Sequence, residues 1–316
     1  MTKEVFTDKD VLLQYLGLDA ALFKIAASGR SLKVPASFVG RMNDGDPTDP
    51  LLLQVLPSHE EDEDREGFSC DPAGDAAAIV ESGLLQKYSG RALLLASFRC
   101  AIHCRFCFRR NLKDEQFVTS RHRLDNALLF LERRPDIREL ILSGGDPLML
   151  PNDELDYLLH RLSSMDHLAR IRIHTRLPIA DPTSVDEDLI RVLKTAKKPL
   201  VISLHANHPN ELNDETAHTA ERLSECGAFL LNQSVLLKGV NDNSDTLIEL
   251  SEKLFAQKIA PYYLHRLDKA KGAHHFDVPV FEGRLLVEEM RVRCPGYLVP
   301  KYVQEVAGMT SKVALL

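Results

Sequence analysis

The chain has 316 residues, 44% of them hydrophobic and 27% charged, with a formal net charge of −7. This is the balance of a soluble globular protein, long enough for one large α/β domain with an extension or for two smaller domains. No apolar run approaches a membrane span, the amino terminus does not read as a signal peptide, and the net acidity argues against a protein that grips nucleic acid.

In chain order, residues 1–90 read as a helical extension, with short helical pieces at 8–16, 20–27 and 75–82. The acidic run His59-Glu-Glu-Asp-Glu-Asp-Arg65 within it reads as a solvated surface segment rather than a metal site. From residue 91 a different rhythm begins. Apolar, strand-like runs occur at 91–97, 139–143, 168–175, 199–205, 228–236 and 260–265. Helical patterns alternate with them at 124–134, 153–163, 188–194, 214–226, 244–258 and 282–293. Leu155, Leu158, Leu159 and Leu162, for example, fall on one helical face. Such alternation predicts parallel βαβ units with right-handed crossovers. Six units are too few for a closed eight-stranded barrel, and a partial, open, TIM-like (βα)6 barrel fits the count. A doubly wound sheet would show the same periodicity. The domain expectation is a helical extension over 1–90, a barrel core over 91–294 and a short carboxyl-terminal segment over 295–316.

Chemistry concentrates where the strand-like runs end. After the first comes Cys100-Ala-Ile-His-Cys104-Arg-Phe-Cys107. Three thiolates this close can bind three irons of a [4Fe–4S] cube and leave the fourth open for chemistry. Structural zinc would need a second ligand pair, and Cys70, Cys226 and Cys294 are isolated from one another. A disulfide framework fits less well, because the triplet leaves an odd thiol. Free thiols and such a cluster suit a reducing compartment, so a cytoplasmic location is expected. After the second strand-like run, Gly144-Gly145-Asp146-Pro147 lets the backbone approach a ligand closely, though a tight turn would ask for the same residues.

The cysteine spacing resembles the radical S-adenosylmethionine (SAM) signature, in which the open iron chelates SAM. Beyond it, Cys104-Arg-Phe-Cys-Phe-Arg-Arg110, Leu142-Ser-Gly-Gly-Asp-Pro147, His174-Thr-Arg-Leu-Pro178, Asn207-His-Pro-Asn-Glu211, Asn232-Gln-Ser-Val-Leu-Leu237, Tyr262-Tyr-Leu-His-Arg-Leu-Asp268 and Gly296-Tyr-Leu-Val-Pro300 resemble the lysine 2,3-aminomutase family in order and spacing. The likeness covers roughly residues 80–312. Leu236-Leu-Lys-Gly-Val-Asn-Asp-Asn243 and the short tail are similar to the branch that makes (R)-β-lysine for elongation factor P.

The resemblance implies a radical SAM partial barrel that moves the amino group of L-lysine from Cα to Cβ. It implies a [4Fe–4S] cluster on Cys100, Cys104 and Cys107, SAM near Gly144, Gly145, Asp146 and His205, and pyridoxal 5′-phosphate (PLP) held covalently by Lys312. Lys87, Arg91 and Arg176, with Gln233, are the implied PLP neighbours. Arg109 is implied for the substrate carboxylate, and Asp268 and Glu305 for its ε-ammonium. Arg105 and Arg110 are expected to serve the fold or the surface. Zinc-binding cysteines of the larger family members have no counterpart near the carboxyl end beyond Cys294, so no zinc is expected. The implied partners are L-lysine, a flavodoxin- or ferredoxin-type electron donor, and functionally elongation factor P and its lysyl ligase. A homodimer is compatible with the likeness, and no nucleic acid or membrane is expected. A radical SAM enzyme without PLP, or a zinc-stabilised binding module, would share the cysteine loop but not the later motifs.

Overall fold

The computed structural model describes residues 4–27, 29–81, 83–111 and 121–316. Residues 1–3 and Ser82, the last residue of the expected 75–82 helix, lie outside them. A two-stranded antiparallel pair, β1 (Val5–Phe6) and β2 (Val34–Pro35), belongs to the amino-terminal region. The other strands are β3 (Ile79–Glu81), β4 (Leu84–Tyr88), β5 (Arg91–Ser97), β6 (Glu139–Gly144), β7 (Arg170–His174), β8 (Leu200–Leu204), β9 (Phe229–Val235), β10 (Ala260–His265), β11 (Lys301–Gln304) and β12 (Val313–Ala314). They form one ten-stranded sheet in strict chain order.

Strands β5 to β11 are all parallel, each paired with its sequence neighbour. A doubly wound sheet reverses strand order at a switch point, and this order never reverses. Right-handed crossovers stepping in one direction place the helices on one face and curl the sheet, as in a barrel. Strands β3 and β12 are the two free edges, and no ladder joins them among the described residues.

Side-chain alternation divides the sheet. Ala92, Leu94, Leu140, Leu142, Ile171, Ile173, Ile202 and Leu230 pack into the main core with Leu128, Leu131, Leu158, Leu162 and Leu223 of the crossover helices. Full burial of each such leucine contributes about 1.5–3 kcal/mol. The intervening residues Leu93, Ile141, Ser143, Arg172, His174, Gln233, Val235, Tyr263 and His265 line a cavity instead. The caps follow local sequence: Asn213 accepts from Thr216 N–H at 3.1 Å and Asn243 from Thr246 N–H at 2.8 Å.

Four expectations change. The barrel has a seventh parallel strand, β11, and the carboxyl-terminal segment 295–316 contributes it and β12 to the sheet. The described residues 75–81 are not a helix: a short 3-10 turn at Ala76–Ala78 leads into β3, which pairs antiparallel with β4, and β4 pairs antiparallel with β5. The 20–27 piece is reduced to a 3-10 turn at Ala20–Leu22. The acidic run is not wholly solvated either. Glu61 is buried, its Oε1 accepting from Arg105 Nε at 2.7 Å and its Oε2 from Arg105 Nη2 and Arg110 Nη2. Arg105 and Arg110 thus serve the fold, as expected.

Candidate active site

The cavity holds about 930 Å³ and opens where the parallel strands end. The cysteine loop follows β5 and is held from two sides. From the amino-terminal region, Lys33 O accepts from His103 N–H at 2.9 Å, Gln54 O accepts from Arg105 N–H at 2.9 Å, and Lys33 Nζ donates to Cys100 O at 2.8 Å. Ile102 is buried among Leu12, Phe38 and Leu52 of that region. From the other side, the loop after β6 presses against it: Gly145 N–H donates to Ser97 O at 2.5 Å and Asp146 N–H to Arg99 O at 2.7 Å. Gly144 has φ +114°, and a Cβ on it would come within 2.3 Å of Ser97 O. These two glycines are needed for the close approach of one loop to the other.

Cys100, Cys104 and Cys107 all line the cavity. Burial pushes the Cys100 thiol up to about 12, with Arg30 pulling the other way. Burial also raises Cys104, against the neighbouring Arg176. Burial disfavours the Arg30 charge, yet the three sulfurs outweigh it and hold that guanidinium above its ordinary value. Iron would displace the thiol protons and leave thiolates beside these two cations. No three His, Cys, Asp or Glu side chains among the described residues converge as on a single metal ion, which a cube does not require.

Asp146 lines the cavity, but protein donors occupy its carboxylate. Its Oδ1 accepts from Leu148 N–H (3.1 Å) and Thr175 Oγ1 (2.7 Å), and its Oδ2 from Arg176 N–H (2.8 Å) and Leu177 N–H (2.9 Å). Four donors fill its lone pairs, so it ties the β6 loop to the end of β7 and is not free for the SAM amino group. Arg176 is likewise engaged elsewhere. Its Nη1 donates to Cys104 Sγ at 2.7 Å and its Nη2 to Gln54 Oε1 (2.7 Å) and Glu211 Oε2 (2.8 Å), which directs the guanidinium towards the cysteine loop.

Deeper in the cavity the structure brings together Lys87, Arg109, Asp268, Glu305 and Lys312. Lys312 sits in the β11–β12 connection, and the tail does not fray. Val303 pairs with Ala314 and Gln304 with Val313, and Leu315 N–H donates to Tyr302 O at 3.0 Å. Lys312 Nζ reaches Glu305 Oε2 at 2.5 Å and lies 5.9 Å from the Tyr263 ring centre. Glu305 Oε1 accepts from Tyr88 Oη at 2.5 Å, with Lys87 Nζ 3.8 Å away. Burial alone would raise Glu305; Lys312, Tyr88 and Lys87 together hold it below the ordinary carboxylate range. Asp268, nearby, is pushed up to about 6, mainly by burial, with Lys312 opposing.

Arg109 donates from Nε to Asp75 at 2.8 Å and from Nη1 to Ser143 Oγ at 3.1 Å, and Lys87 Nζ lies 2.6 Å from the same Asp75. Asp75 was not legible as a site residue, since the sequence around it carries only a helical signal. Burial raises its carboxyl, but Arg109 and Lys87 outweigh that and hold it low. Arg91 lies over the Tyr88 ring at 4.5 Å. His205 stacks on Phe106 at 5.4 Å, and burial, aided by Arg176, lowers it to about 3, so the ring is neutral. His174 is also buried and lowered.

Arg91 Nε, His174 Nε2, Arg176 Nε and His205 Nε2 are buried without a hydrogen-bond partner among the described residues, and all four residues line the cavity. Buried polar atoms rarely stay unpaired, so a polar ligand set fits here. A lysine amine, clustered cations and three thiols in one cavity are the donors that PLP and an iron–sulfur cube need.

A family model of the Radical SAM superfamily matches residues 94–250. With the three-cysteine loop at the end of the first parallel strand, the fold and the match define a radical SAM protein. Over 318 residues the chain is 43% identical to an L-lysine 2,3-aminomutase of Escherichia coli, covering 99% of this chain and 92% of that protein. Relatives of the same description from Buchnera aphidicola (42% identity; 97% and 92% covered) and Haemophilus influenzae (40%; 98% and 93%) match equally widely. The chain belongs to the lysine 2,3-aminomutase family, whose cofactors are a [4Fe–4S] cluster, SAM and PLP.

Proposed function

We propose that this protein is a radical SAM, PLP-dependent isomerase that converts L-α-lysine to (R)-β-lysine, and that the product serves the modification of elongation factor P. The observation that carries the reading is Lys312 Nζ, placed against Glu305 in the cavity that the three cysteines line. When bound, the cluster and SAM would supply radical chemistry at Cβ of the substrate, and PLP would supply a carrier for its amino nitrogen.

Lys312 holds PLP covalently. Lys87 and Arg91 supply positive charge for the phosphate, with Gln233 as a polar neighbour. Arg109 receives the substrate carboxylate, with Asp75 fixing its direction through Nε. Asp268 and Glu305 take the ε-ammonium, because a desolvated ammonium demands carboxylates. Cys100, Cys104 and Cys107 hold the cluster, and Gly144, Gly145 and His205 border the SAM site. The region that clasps the cysteine loop excludes water. An external flavodoxin- or ferredoxin-type protein supplies the electron. The protein acts in the cytoplasm, alongside the ligase that attaches β-lysine to elongation factor P. Among the described residues no helix is long and apolar enough to cross a membrane.

The test is an anaerobic assay with L-lysine, SAM, PLP and a chemical reductant, its products resolved by chirality. (R)-β-lysine with SAM regenerated supports the reading. SAM cleavage without any lysine isomer, in protein that retains no PLP, overturns it in favour of a PLP-independent radical SAM enzyme.

A further inference from the structure

Arg176 is enclosed, and both its terminal nitrogens are engaged by protein groups. Phe38 and Phe106 lie 5.4 and 5.3 Å from its Cζ. Its Nη2 is fastened to Gln54 and Glu211, and this fixes the direction in which Nη1 reaches Cys104 Sγ. Glu211 is held in turn: its Oε1 accepts from Asn207 N–H (2.8 Å), His208 N–H (3.1 Å) and Gln54 Nε2 (3.1 Å). A chain of fixed groups therefore runs from the loop after β8 through Glu211 and Arg176 to one cysteine sulfur. Neither Glu211 nor Gln54 carries any signal of this in the sequence.

We infer that Arg176 is a positioning residue that sets the reduction potential of the [4Fe–4S] cluster through its bond to Cys104, with Glu211 as the counter-charge that limits the effect. This rests on the cluster reading above. The cube gains one negative charge when an external donor reduces it, and no bond of Arg176 is made or broken. A cationic N–H aimed at a ligand sulfur favours the electron-rich form, and hydrogen bonds to sulfur and local net charge are what set such potentials. Enclosure keeps water from screening the interaction. Glu211 acts on the electron in the opposite sense from one residue further away.

Two substitutions should move the potential in opposite directions. In anaerobically reconstituted protein without SAM, Arg176→Gln shifts the one-electron reduction equilibrium at least tenfold towards the oxidised cluster, about 59 mV more negative. Glu211→Gln removes the opposing charge and shifts the equilibrium the other way. Arg176→Lys keeps the charge but not the planar fork, and moves less than Arg176→Gln. The readout is the midpoint from an EPR-monitored redox titration, with iron and sulfide content measured on each sample. Unchanged midpoints in fully loaded variants, or shifts of the same sign for Arg176→Gln and Glu211→Gln, overturn the inference. If Arg176→Gln loses its iron, Glu211→Gln decides: a positive shift supports the assignment and an unchanged midpoint sinks it. A wild-type protein that takes up no iron–sulfur cluster would instead fail the functional reading on which the inference rests.

Discussion

Replacing Gly145 by alanine puts a methyl group where the cysteine loop already runs. A Cβ there would lie 2.6 Å from Arg99 O, 2.7 Å from Phe98 C and 2.9 Å from Phe98 O. All three are backbone atoms, so no side-chain rotation relieves the clash. The loop after β6 must lift, straining the bonds from Gly145 N–H to Ser97 O and from Asp146 N–H to Arg99 O. Overpacking costs about 1–3 kcal/mol and each backbone hydrogen bond contributes about 1 kcal/mol, so the expected loss is about 3–5 kcal/mol. A folded domain has only about 5–15 kcal/mol to lose. Because the displaced contact shapes the cysteine loop, iron bound per chain should fall as well. Gly296, where a Cβ would meet nothing within 4 Å, is the control; Gly296→Ala should be neutral or stabilise by up to about 1 kcal/mol. Urea unfolding and iron analysis of both variants make the test. A Gly145→Ala protein with wild-type stability and full iron would refute the reasoning.

Lys312→Ala should lose PLP absorbance after reconstitution while iron content stays at the wild-type level; retained PLP would show that another group holds the cofactor. Asp268 titrates near 6 and must be ionised to receive an ammonium. The KM for lysine should therefore rise about tenfold per pH unit below that value, and Asp268→Asn should abolish this dependence while SAM cleavage persists; an unchanged pH profile in the variant counts against the contact. For stability the sign is reversed, since a raised carboxyl pKa means the folded state binds the proton more tightly and this group's contribution declines as pH rises through 6. Glu61→Gln leaves Arg105 and Arg110 buried without their carboxylate and should cost about 3–5 kcal/mol in urea unfolding. Burial would raise the Glu61 carboxyl, but Arg105 and Arg110 hold it low. Its contribution should hold at neutral pH and fade on acidification below the ordinary carboxylate range, and a flat acid limb would contradict that.

The strands β5 and β10 begin and end where the sequence pattern places them: β5 is an almost uninterrupted aliphatic run, and β10 carries paired tyrosines of high strand propensity. β11 escaped: it is four residues long, starts with Lys301 after Pro300, and has no helix after it to mark a βα unit. β3 was hidden behind three consecutive alanines with strong helical propensity. In the site, the cysteines could be found through motif spacing, and Lys312 could be singled out only through the family resemblance. Asp75, Glu211, Gln54 and Glu61 could not, since each acquires its role from partners 34 to 122 residues away. The same long-range contacts explain the reassignment of Arg176 and Asp146. A motif shows that a residue stands at a strand end, but only the fold shows which neighbours occupy its hydrogen bonds.

The clasp of the amino-terminal region on the cysteine loop bears on how metal arrives. Peptide groups of His103 and Arg105 already have partners in Lys33 and Gln54, and Ile102 is already anchored among apolar neighbours. A hinge that has been immobilised beforehand surrenders little freedom when it is loaded. Assembly of the cube then demands delivery of iron and sulfide to a preshaped seat, and the segment translated first becomes the scaffold on which the later catalytic loop is moulded.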